Sequence, residues 1–240
     1  SELDGHPVVA VAGGAFAGNA ALTSVALPDS VLQIGDGAFS GCTALAAVQL
    51  PMSLQWLGAG AFEGCTALTS VPVPATLTAC GTSWQQGVAV GPFAGCTALA
   101  EVTVDEGAKT LAPYLFAGCD ALAVLTLPES LVRVDTVAFS NTGAVSATLV
   151  IRGLEGSAAQ QFAEEMGLTF QSTTVPATGI AVSQTEVSLF RGTTAKLEAT
   201  VTPADSTDRV TWQSSNPEVA SVDAEGTVAA VAAGTATITA

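Results

Sequence analysis

Positive charge is scarce in this chain of 240 residues. Six lysines and arginines stand against 21 aspartates and glutamates, which gives a formal net charge of −15. A nucleic-acid binder needs a concentrated Lys/Arg surface to contact the phosphate backbone, and docking on an anionic membrane has the same requirement. The composition therefore excludes nucleic acid as a leading partner and argues against an anionic lipid surface.

Uninterrupted apolar segments are also lacking, although 49% of the residues are hydrophobic. Residues 37–62 and 64–100 carry no charge, but glycines and prolines with turn chemistry interrupt both segments. A membrane span would need about 20 predominantly apolar residues in succession. We therefore predict no direct membrane insertion.

Phenylalanine marks an internal repeat. Six of the nine phenylalanines recur with a spacing of 23 residues, except for one gap of 31, which is one period plus eight. The six are Phe16, Phe39, Phe62, Phe93, Phe116 and Phe139. A period of this length with a Leu-x-x-Leu-x-Leu core, as in Leu45-x-x-Val48-x-Leu50, predicts a leucine-rich solenoid.

Each repeat also contains signals for a short strand and for its end. The alternating apolar residues predict a strand, and a proline such as Pro51 follows it and cannot extend the hydrogen-bond ladder. A serine or threonine comes next, and a glycine near the following bend (Gly35, Gly58) suggests an unusual backbone conformation. A single coil leaves its upper and lower apolar faces exposed to water. We therefore expect neighbouring coils to stack on these faces, which aligns the phenylalanines in a spine.

These repeated sequence motifs resemble those of the BspA-like leucine-rich repeat proteins of bacterial and protist surfaces. The resemblance covers roughly residues 8–150 and rests on Leu-Pro-x-Ser-Leu, Ile-Gly-x-x-Ala-Phe and Gly-Cys-x-x-Leu. Asp105 at the proline position and Asn19 at the first cysteine position depart from the pattern. The sixth copy, Phe139-Ser-Asn-Thr-Gly, has decayed, as suits a terminal coil. The resemblance implies an extracellular location, on the bacterial surface or secreted.

A helical cap is predicted near residues 157–170. Ser157 and Gln160 have the spacing of a capping box, and Phe162 and Met166 lie one turn apart, so that both can cover the last coil. Leu168-Thr169-Phe170 suggests an additional edge strand. The first domain therefore spans residues 1–170, and residues 171–177 form a polar, proline-containing linker. We also expect earlier coils to be missing, because Val9-x-Val11 begins in the middle of a repeat.

Residues 178–240 predict a second, all-β domain. Alternating apolar residues at Ile180 and Val182, at Val187 and Leu189, and at 197–201 are separated by turn clusters, which is typical of a β-sandwich. The segment from Trp212 to Val222 and the ending at 234–240 resemble the bacterial Ig-like domain, group 2. It ends abruptly at Ala240, so we expect a truncated domain. Trp212 has two interpretations, a core tryptophan or a sugar-stacking residue. The complete fold prediction is mainly β, a solenoid of 23-residue coils with short parallel strands and a helical cap, then an Ig-like sandwich.

The cysteines offer chemistry that must be compared with simpler roles. Cys42, Cys65, Cys96 and Cys119 share one repeat position, so they can form a ladder of small buried thiols, disulfides or a soft-metal column. Parallel Cβ vectors disfavour disulfides, and a linear column does not supply the tetrahedral ligands that zinc needs. Cys80 is assigned to the eight-residue insertion, and the only histidine, His6, is more than three coils away, which disfavours a Cys–His pair. We therefore predict no catalytic residue, no metal site and no cofactor.

The carboxylates do not form a recognisable set. Asp105 and Glu106 are adjacent, and they either hold a cation with a neighbour or are solvated loop residues. A hydrolase that uses carboxylates near the insertion stays open as a third hypothesis.

The sequence thus favours a non-enzymatic binding or adhesion module, with the solenoid as recognition surface and the Ig-like domain as spacer. Host or matrix protein or glycan are the expected partners. The alternative is a passive arm that displays a catalytic or binding domain encoded elsewhere in the full-length protein. The candidate binding residues are those of the outward strand face and of the insertion: Ser24, Gln49, Ser70, Glu101, Thr103, Trp84, Gln85 and Gln86.

Overall fold

The computed structural model describes the backbone of Glu2–Leu3 and all of residues 6–140, 144–204 and 206–240. Within the decayed sixth repeat, Asn141-Thr142-Gly143 therefore lies outside the described residues. The chain divides into two compact units, Ser1–Thr173 and Thr174–Ala240. Among the described residues, no helix has the length and hydrophobicity that crossing a bilayer requires.

The first unit is a β-solenoid of about seven turns. Its strands are β1 (Glu2–Leu3), β2 (His6–Pro7), β3 (Ala10–Val11), β4 (Ser24–Ala26), β5 (Gln33–Ile34), β6 (Ala47–Gln49), β7 (Trp56–Leu57), β8 (Ser70–Val73), β9 (Ala79–Cys80), β10 (Ser83–Gln85), β11 (Val88–Val90), β12 (Glu101–Val104), β13 (Val124–Thr126), β14 (Val150–Gly153) and β15 (Thr169–Ser172). A 3-10 helix at Thr136–Ala138 and the α-helix α1 (Ala158–Met166) complete the unit.

The coils contribute short strands to two parallel sheets. On one side of the coils, β4 pairs with β6, and β8, β12, β13, β14 and β15 form a five-stranded sheet; because β6 lies next to β8, this row of strands is called the first sheet. The second sheet contains β3, β5, β7 and β9. Equivalent repeat residues are register partners, as Val71 and Val102 show on β8 and β12. Both side chains are buried while their strand neighbours Ser70 and Glu101 are exposed, because successive residues of a strand point to opposite faces. The predicted solenoid of parallel strands is confirmed.

Hydroxyl groups bridge the corners between coils. Thr76 Oγ1 donates to the carbonyl oxygens of Met52 and Leu54 in the preceding coil, at 2.7 and 2.8 Å. Ser130 Oγ donates to Ala108 O at 2.8 Å in the same way. The Ser/Thr that follows each strand-ending proline therefore satisfies backbone acceptors that the ladder leaves open.

The phenylalanines align in a spine, as the repeat predicts. Ring centroids are 5.1 Å apart from Phe16 to Phe39 and from Phe39 to Phe62, and 5.4 Å from Phe62 to Phe93. The series resumes at Phe116 and continues through Phe139 to Phe162 of α1, with centroid distances of 5.4 and 5.7 Å. Phe39, Phe62 and Phe93 are at most 1% exposed, so the spine is a central part of the core.

The glycines at the bend have a different role from the predicted one. Gly35 and Gly58 lack positive φ angles, which occur instead at glycines such as Gly37 (φ 59°) and Gly60 (φ 58°). A Cβ added to Gly35 would lie 2.5 Å from Gly13 N, and one added to Gly58 would lie 2.4 Å from Asp36 N. These glycines therefore permit close approach of adjacent coils, and the prediction of an unusual backbone conformation was wrong for them.

The cap is helical but is not closed by the predicted capping box. Ser157 is the N-cap of α1, yet its hydroxyl donates to Leu154 O at 2.6 Å. Gln160 Oε1 accepts from Gly156 N at 2.8 Å, one residue before the N-cap. Phe162 is buried against the last coil, whereas Met166 is 37% exposed, so only Phe162 has the predicted covering role. The predicted edge strand is confirmed as β15, which pairs in parallel with β14.

The second unit contains only antiparallel strand pairs among its described residues. Its strands are β16 (Gly179–Val182), β17 (Thr194–Lys196), β18 (Ala199–Thr202), β19 (Gln213–Ser214), β20 (Ala220–Val222), β21 (Thr227–Ala230) and β22 (Ile238–Thr239). β16 pairs with β18, β17 with β21, β20 with β21, and β19 with β22. Leu197 and Val228 are buried. The strand predicted at Val187 and Leu189 does not form, since this segment has no ladder partner.

Candidate functional site

The five candidate residues on the solenoid strands all lie on the outer face of the first sheet. They are exposed, and they flank inward residues such as Val48 and Val102, which are at most 6% exposed. The five are Ser24, Gln49, Ser70, Glu101 and Thr103. Because outward and inward positions alternate, these side chains contact solvent without contributing to the core.

Register arranges this outer face in columns across the coils. Ser70 on β8 is the partner of Glu101 on β12, and Thr103 on β12 is the partner of Pro72. Gln49 on β6 is the partner of Ala26 on β4. Partner residues on adjacent strands are about 4.8 Å apart. The face is therefore a close array of small hydroxyl, amide and methyl groups with the single carboxylate of Glu101 among the five candidates.

The other three candidate residues lie on a β-hairpin. β10 and β11 pair antiparallel, with Trp84 opposite Ala89. Gln86 and Gly87 form the turn between them, with φ angles of 51° and 81°, the positive values that a tight type I′ turn requires. Trp84 is 58% exposed, and Gln85 and Gln86 are also exposed. The insertion is thus an ordered two-stranded projection.

The hairpin and the strand face occupy different parts of the coil. The hairpin follows β9 of the second sheet, whereas the outward strand residues belong to the first sheet. Trp84 contacts Tyr114, with ring centroids 6.1 Å apart, and Gln85 Nε2 donates to Glu63 Oε1 at 3.3 Å. The structure therefore divides the eight candidates into two groups.

Sequence reasoning missed Tyr114 as a member of the hairpin group. Tyr114 lies two residues before Phe116, at the repeat position that Gly14, Gly37, Gly60 and Gly91 occupy in earlier coils. Its φ is 61°, close to the 58° of Gly60. The signal in the sequence was the replacement of a repeated glycine by the only tyrosine of the chain.

The repeat cysteines form a ladder of thiol-to-carbonyl hydrogen bonds. Each Sγ donates to the carbonyl oxygen of a phenylalanine in the preceding coil, and all are free thiols. The pairs are Cys42–Phe16 at 3.1 Å, Cys65–Phe39 at 3.2 Å, Cys96–Phe62 at 3.0 Å and Cys119–Phe93 at 3.7 Å. The hydrogen bond with the Cys96 thiol and burial raise the pKa of Cys65, so the neutral form is favoured. Their role is to fill space and satisfy a backbone acceptor.

Cys80 belongs to the repeat, and its assignment to the insertion was wrong. It lies on β9 as the register partner of Leu57, which in turn is the equivalent of Ile34. Its thiol donates to Pro113 O at 2.8 Å. Burial raises the pKa of Cys80 to about 12. A thiol with so little thiolate at neutral pH is a poor nucleophile.

Several carboxylates accept backbone hydrogen bonds from the next coil. Asp36 Oδ1 accepts from Ala59 N at 2.8 Å, and Glu106 Oε1 accepts from Glu129 N at 3.0 Å. Burial raises the pKa of Asp105. Among the described residues, no group of three or more His, Cys, Asp or Glu side chains is arranged to hold a metal ion. The carboxylate contacts seen here stabilise the stack of coils.

Trp212, considered at the sequence level for sugar stacking, is half-buried in the second unit. A Cβ added to Gly226 would lie 2.8 Å from its indole ring. The edge of the indole that carries Cε2 and Nε1 is therefore packed closely against the backbone at Gly226, which favours a structural role.

Two family models match the chain. The model described as BspA type Leucine rich repeat region matches in six copies, over residues 10–144 and 86–201. The model described as Bacterial Ig-like domain (group 2) matches residues 176–240. The first match covers more than half of the chain, and both agree with the resemblances found in the sequence.

Two curated relatives match short segments. The chain is 45% identical over 76 residues to a lacto-N-biosidase of Bifidobacterium bifidum, which is 32% of this chain and 7% of that protein. It is 49% identical over 69 residues to an alpha-L-arabinofuranosidase of Bifidobacterium longum subsp. longum, 28% of this chain and 6% of that protein. The chain thus matches only a small part of these two relatives.

Solved leucine-rich repeat structures are also similar. The pneumococcal vaccine antigen PcpA superposes with a TM-score of 0.55 at 17% identity, over 71% of this chain and 43% of that one. The T. pallidum leucine rich repeat protein TpLRR matches with a TM-score of 0.48 at 27% identity, over 71% of this chain and 82% of that one. The likeness to PcpA supports the fold alone.

Proposed function

The chain belongs to the BspA-type leucine rich repeat family and carries a bacterial Ig-like domain, and we propose that it is a non-catalytic, extracellular binding or adhesion module of a bacterial surface or secreted protein. The solenoid is the recognition surface, and the Ig-like domain is the spacer. A host or matrix protein or a glycan is the partner. Both families are typically non-catalytic, and surface location is what the BspA-type family suggests.

The observation that carries this proposal is the separation of the outer strand face from the core. On β8 and β12 the residues alternate between exposed and buried without exception. Outward side chains can therefore change the ligand contacts while the inward ones keep the coil folded. Stacked coils repeat this face along the solenoid, as extended binding surfaces of repeat proteins do.

The test compares two pairs of arginine substitutions in the whole chain. Ser24→Arg with Ser70→Arg places bulky charge on the outer strand face, and Thr43→Arg with Thr66→Arg places the same charge on exposed turns. The proteins are immobilised and probed with purified matrix proteins and with an array of host glycans. We expect the wild-type chain and the turn variant to bind the same probe, and the strand-face variant to lose at least about tenfold in affinity. Equal binding by both variants would remove the support for this face.

The second candidate function is a passive arm that displays a catalytic or binding domain encoded elsewhere in the full-length protein. It is favoured by the glycosidase names of the two curated relatives, of which this chain matches only 7% and 6%. The domain content of the full-length reading frame distinguishes the two. A catalytic domain next to this chain, together with a wild-type chain that binds none of the probes, would favour the arm.

A further inference from the structure

The outer face of the first sheet is nearly uncharged, although the chain has a formal net charge of −15. The outward residues of its strands alternate with the buried ones, and two of them are charged, Glu101 on β12 and Arg152 on β14. The remaining outward residues have hydroxyl, amide or apolar side chains. A ligand on this face therefore meets one guanidinium and one carboxylate on a neutral background.

The side chain of Arg152 is held by its neighbour on the next strand. Arg152 is the register partner of Gln171 on β15, and its Nε donates to Gln171 Oε1 at 2.8 Å. Arg152 is half-buried on this face, whereas Gln171 is exposed. Because the hydrogen bond restricts a long and flexible side chain, the guanidinium is oriented before a ligand arrives, and less entropy is lost on binding.

The other donors of Arg152 are open. Its two Nη groups have no hydrogen-bond partner among the described residues, since Gln171 occupies Nε alone. Within the described part of the chain, no carboxylate lies at ion-pair distance from Arg152, whereas Arg133 pairs with Asp135. The two Nη groups form a fork that matches the two oxygens of a carboxylate. Arg152 is thus an oriented cation without a counter-charge.

A row of polar side chains leads to this guanidinium. Thr103 on β12, Thr126 on β13 and Arg152 on β14 are successive register partners. Because partners on adjacent strands are about 4.8 Å apart, the side chain of Thr126 lies beside that of Arg152. A threonine hydroxyl both donates and accepts hydrogen bonds, so it can contact the same ligand.

Glu101 belongs to the neighbouring row of the same face. It is the register partner of Val124, which is the partner of Val150, two residues before Arg152 on β14. Two strand spacings across the sheet and two residues along it place the Cα atoms of Glu101 and Arg152 about 12 Å apart. An extended polypeptide rises about 3.3 Å per residue, so about four residues span this distance. The half-buried side chains of Val124 and Val150 lie between the two charges and offer apolar contact.

The charges on the face select the chemistry of the ligand. A phosphate group carries about −1.5 to −2 charge at pH 7, which one guanidinium does not neutralise, whereas a carboxylate carries a single charge. An acidic sugar complements Arg152 but leaves Glu101 without a partner. A polypeptide carries side chains of both signs, so it can complement both residues.

We propose that this part of the outer strand face docks a polypeptide segment, with a carboxylate of the segment bound by the Nη groups of Arg152. A lysine or arginine about four residues away in the same segment faces Glu101. This inference rests on the proposed function, because it names the partner chemistry of the strand face.

The test uses the whole chain and an array of short peptides that tile the matrix proteins of the previous experiment. Each peptide has two twins, one with Asn and Gln in place of Asp and Glu, and one with Gln in place of Lys and Arg. Peptides that bind are labelled and titrated by fluorescence anisotropy. Inorganic phosphate, glucuronic acid and N-acetylneuraminic acid are the competing anionic probes.

Three variants separate charge from geometry. Arg152→Gln removes the guanidinium, and Arg152→Lys keeps the charge without the fork. Lys109→Gln is the matched control, because it removes the same charge from an exposed residue that follows β12 and lies outside the strands. Melting temperatures of all three are measured, and those within about 3 °C of the wild type show that the fold is retained.

We expect the wild-type chain and Lys109→Gln to bind the same peptides with equal affinity. Arg152→Gln should lose about tenfold or more, as should the twins without carboxylates, because a charge-assisted hydrogen-bonded pair is lost. Arg152→Lys should lie between the two. Glu101→Gln should weaken binding of the parent peptides and leave the twins without basic residues unaffected. A merely structural Arg152 would lower the melting temperature and leave binding unchanged.

The inference is overturned if Arg152→Gln binds like the wild type, or if the twins without carboxylates bind as tightly as their parents. The second comparison uses the unaltered chain, so it decides the matter even where a variant does not fold. Stronger binding of phosphate or of either sugar acid than of the peptides would overturn a polypeptide as the partner. Matrix-protein binding that is lost with Ser24→Arg and Ser70→Arg but kept with Arg152→Gln would overturn this site alone and leave the proposed function standing.

Discussion

Replacing Gly58 with alanine tests whether coil spacing depends on a missing side chain. An added Cβ would lie 2.4 Å from both Asp36 N and Gly35 C, which are backbone atoms of the preceding coil. Ordinary carbon contacts begin near 3.5 Å, so the coils must separate locally by about 1 Å. Neither atom can move alone, because both belong to the ladder of the second sheet and its bend.

The cost follows from the hydrogen bonds that cross this boundary. Gly58 N donates to Ile34 O at 2.8 Å, Ala59 N donates to Asp36 Oδ1 at 2.8 Å, and Gly37 N donates to Ala59 O at 2.9 Å. If separation weakens all three, each contributes a loss of about 1 kcal/mol, so the free energy of unfolding should fall by about 3 kcal/mol. Lost packing adds to this value.

Gly64→Ala is the matched control. Gly64 has φ 69° and no heavy atom within 4 Å of an added Cβ, so this variant incurs only the left-handed strain, about 1–2 kcal/mol. Urea unfolding followed by far-UV circular dichroism compares the two variants, and hydrogen exchange of the Gly58 and Ala59 amides locates the effect, since solenoids can open locally. A Gly58→Ala loss no larger than that of Gly64→Ala would refute the close-approach argument.

Three further predictions test other contacts of the stack. Phe62→Ala should lower the free energy of unfolding in urea by about 3–5 kcal/mol, because Phe62 is fully buried between two rings. Phe16→Ala should lower it clearly less, because the ring of Phe16 is 43% exposed. Equal losses would contradict the role of the spine as a core element. Asp36→Ala should lower the unfolding free energy by about 1 kcal/mol through loss of its bond to Ala59 N, and no change would show that water replaces it. Burial raises the pKa of Cys80 to about 12 from an ordinary 9.0. The unfolded chain therefore loses the thiol proton at a lower pH than the folded chain does. The stabilising contribution of the neutral thiol is complete below pH 9 and is lost between pH 9 and 12, by up to about 1.4 kcal/mol per pH unit. Urea midpoints from pH 8 to 11 should fall less steeply for Cys80→Ala, and identical slopes would contradict this.

The repeat predicted the solenoid because one physical rule applies in every coil. An inward residue such as Val71 needs an equivalent neighbour such as Val102 above it, so the apolar pattern itself specifies both the strand and its stacking. The phenylalanine spine follows from the same rule, since Phe39 and Phe62 share one repeat position. The period of the sequence therefore predicts which distant residues are in contact, and a sequence without repeats does not show this.

Other features were not predictable from the period. The role of Gly58 depends on its distance to the preceding coil, which is visible only after stacking. The hydroxyl of Ser157 donates to Leu154 O, although its spacing to Gln160 suits a capping box, because the approach to the helix brings that carbonyl within reach. Val187 lies in an alternating apolar pattern that is typical of a strand, but this segment has no ladder partner. Strand pairing depends on which other segments the fold brings alongside, and the local sequence does not specify this.

The candidate sites differ in the same way. Outward positions such as Ser70 and Glu101 follow directly from strand alternation, so the sequence could place them. The contact between Trp84 and Tyr114 joins an insertion to the next coil, and no periodic rule brings the two together. In the sequence this contact corresponds to two irregularities in neighbouring repeats. One is the eight-residue insertion, and the other is a tyrosine at a position where earlier repeats have glycine. Each irregularity alone disfavours the regular stack, and only together do they form an ordered aromatic contact, with ring centroids 6.1 Å apart.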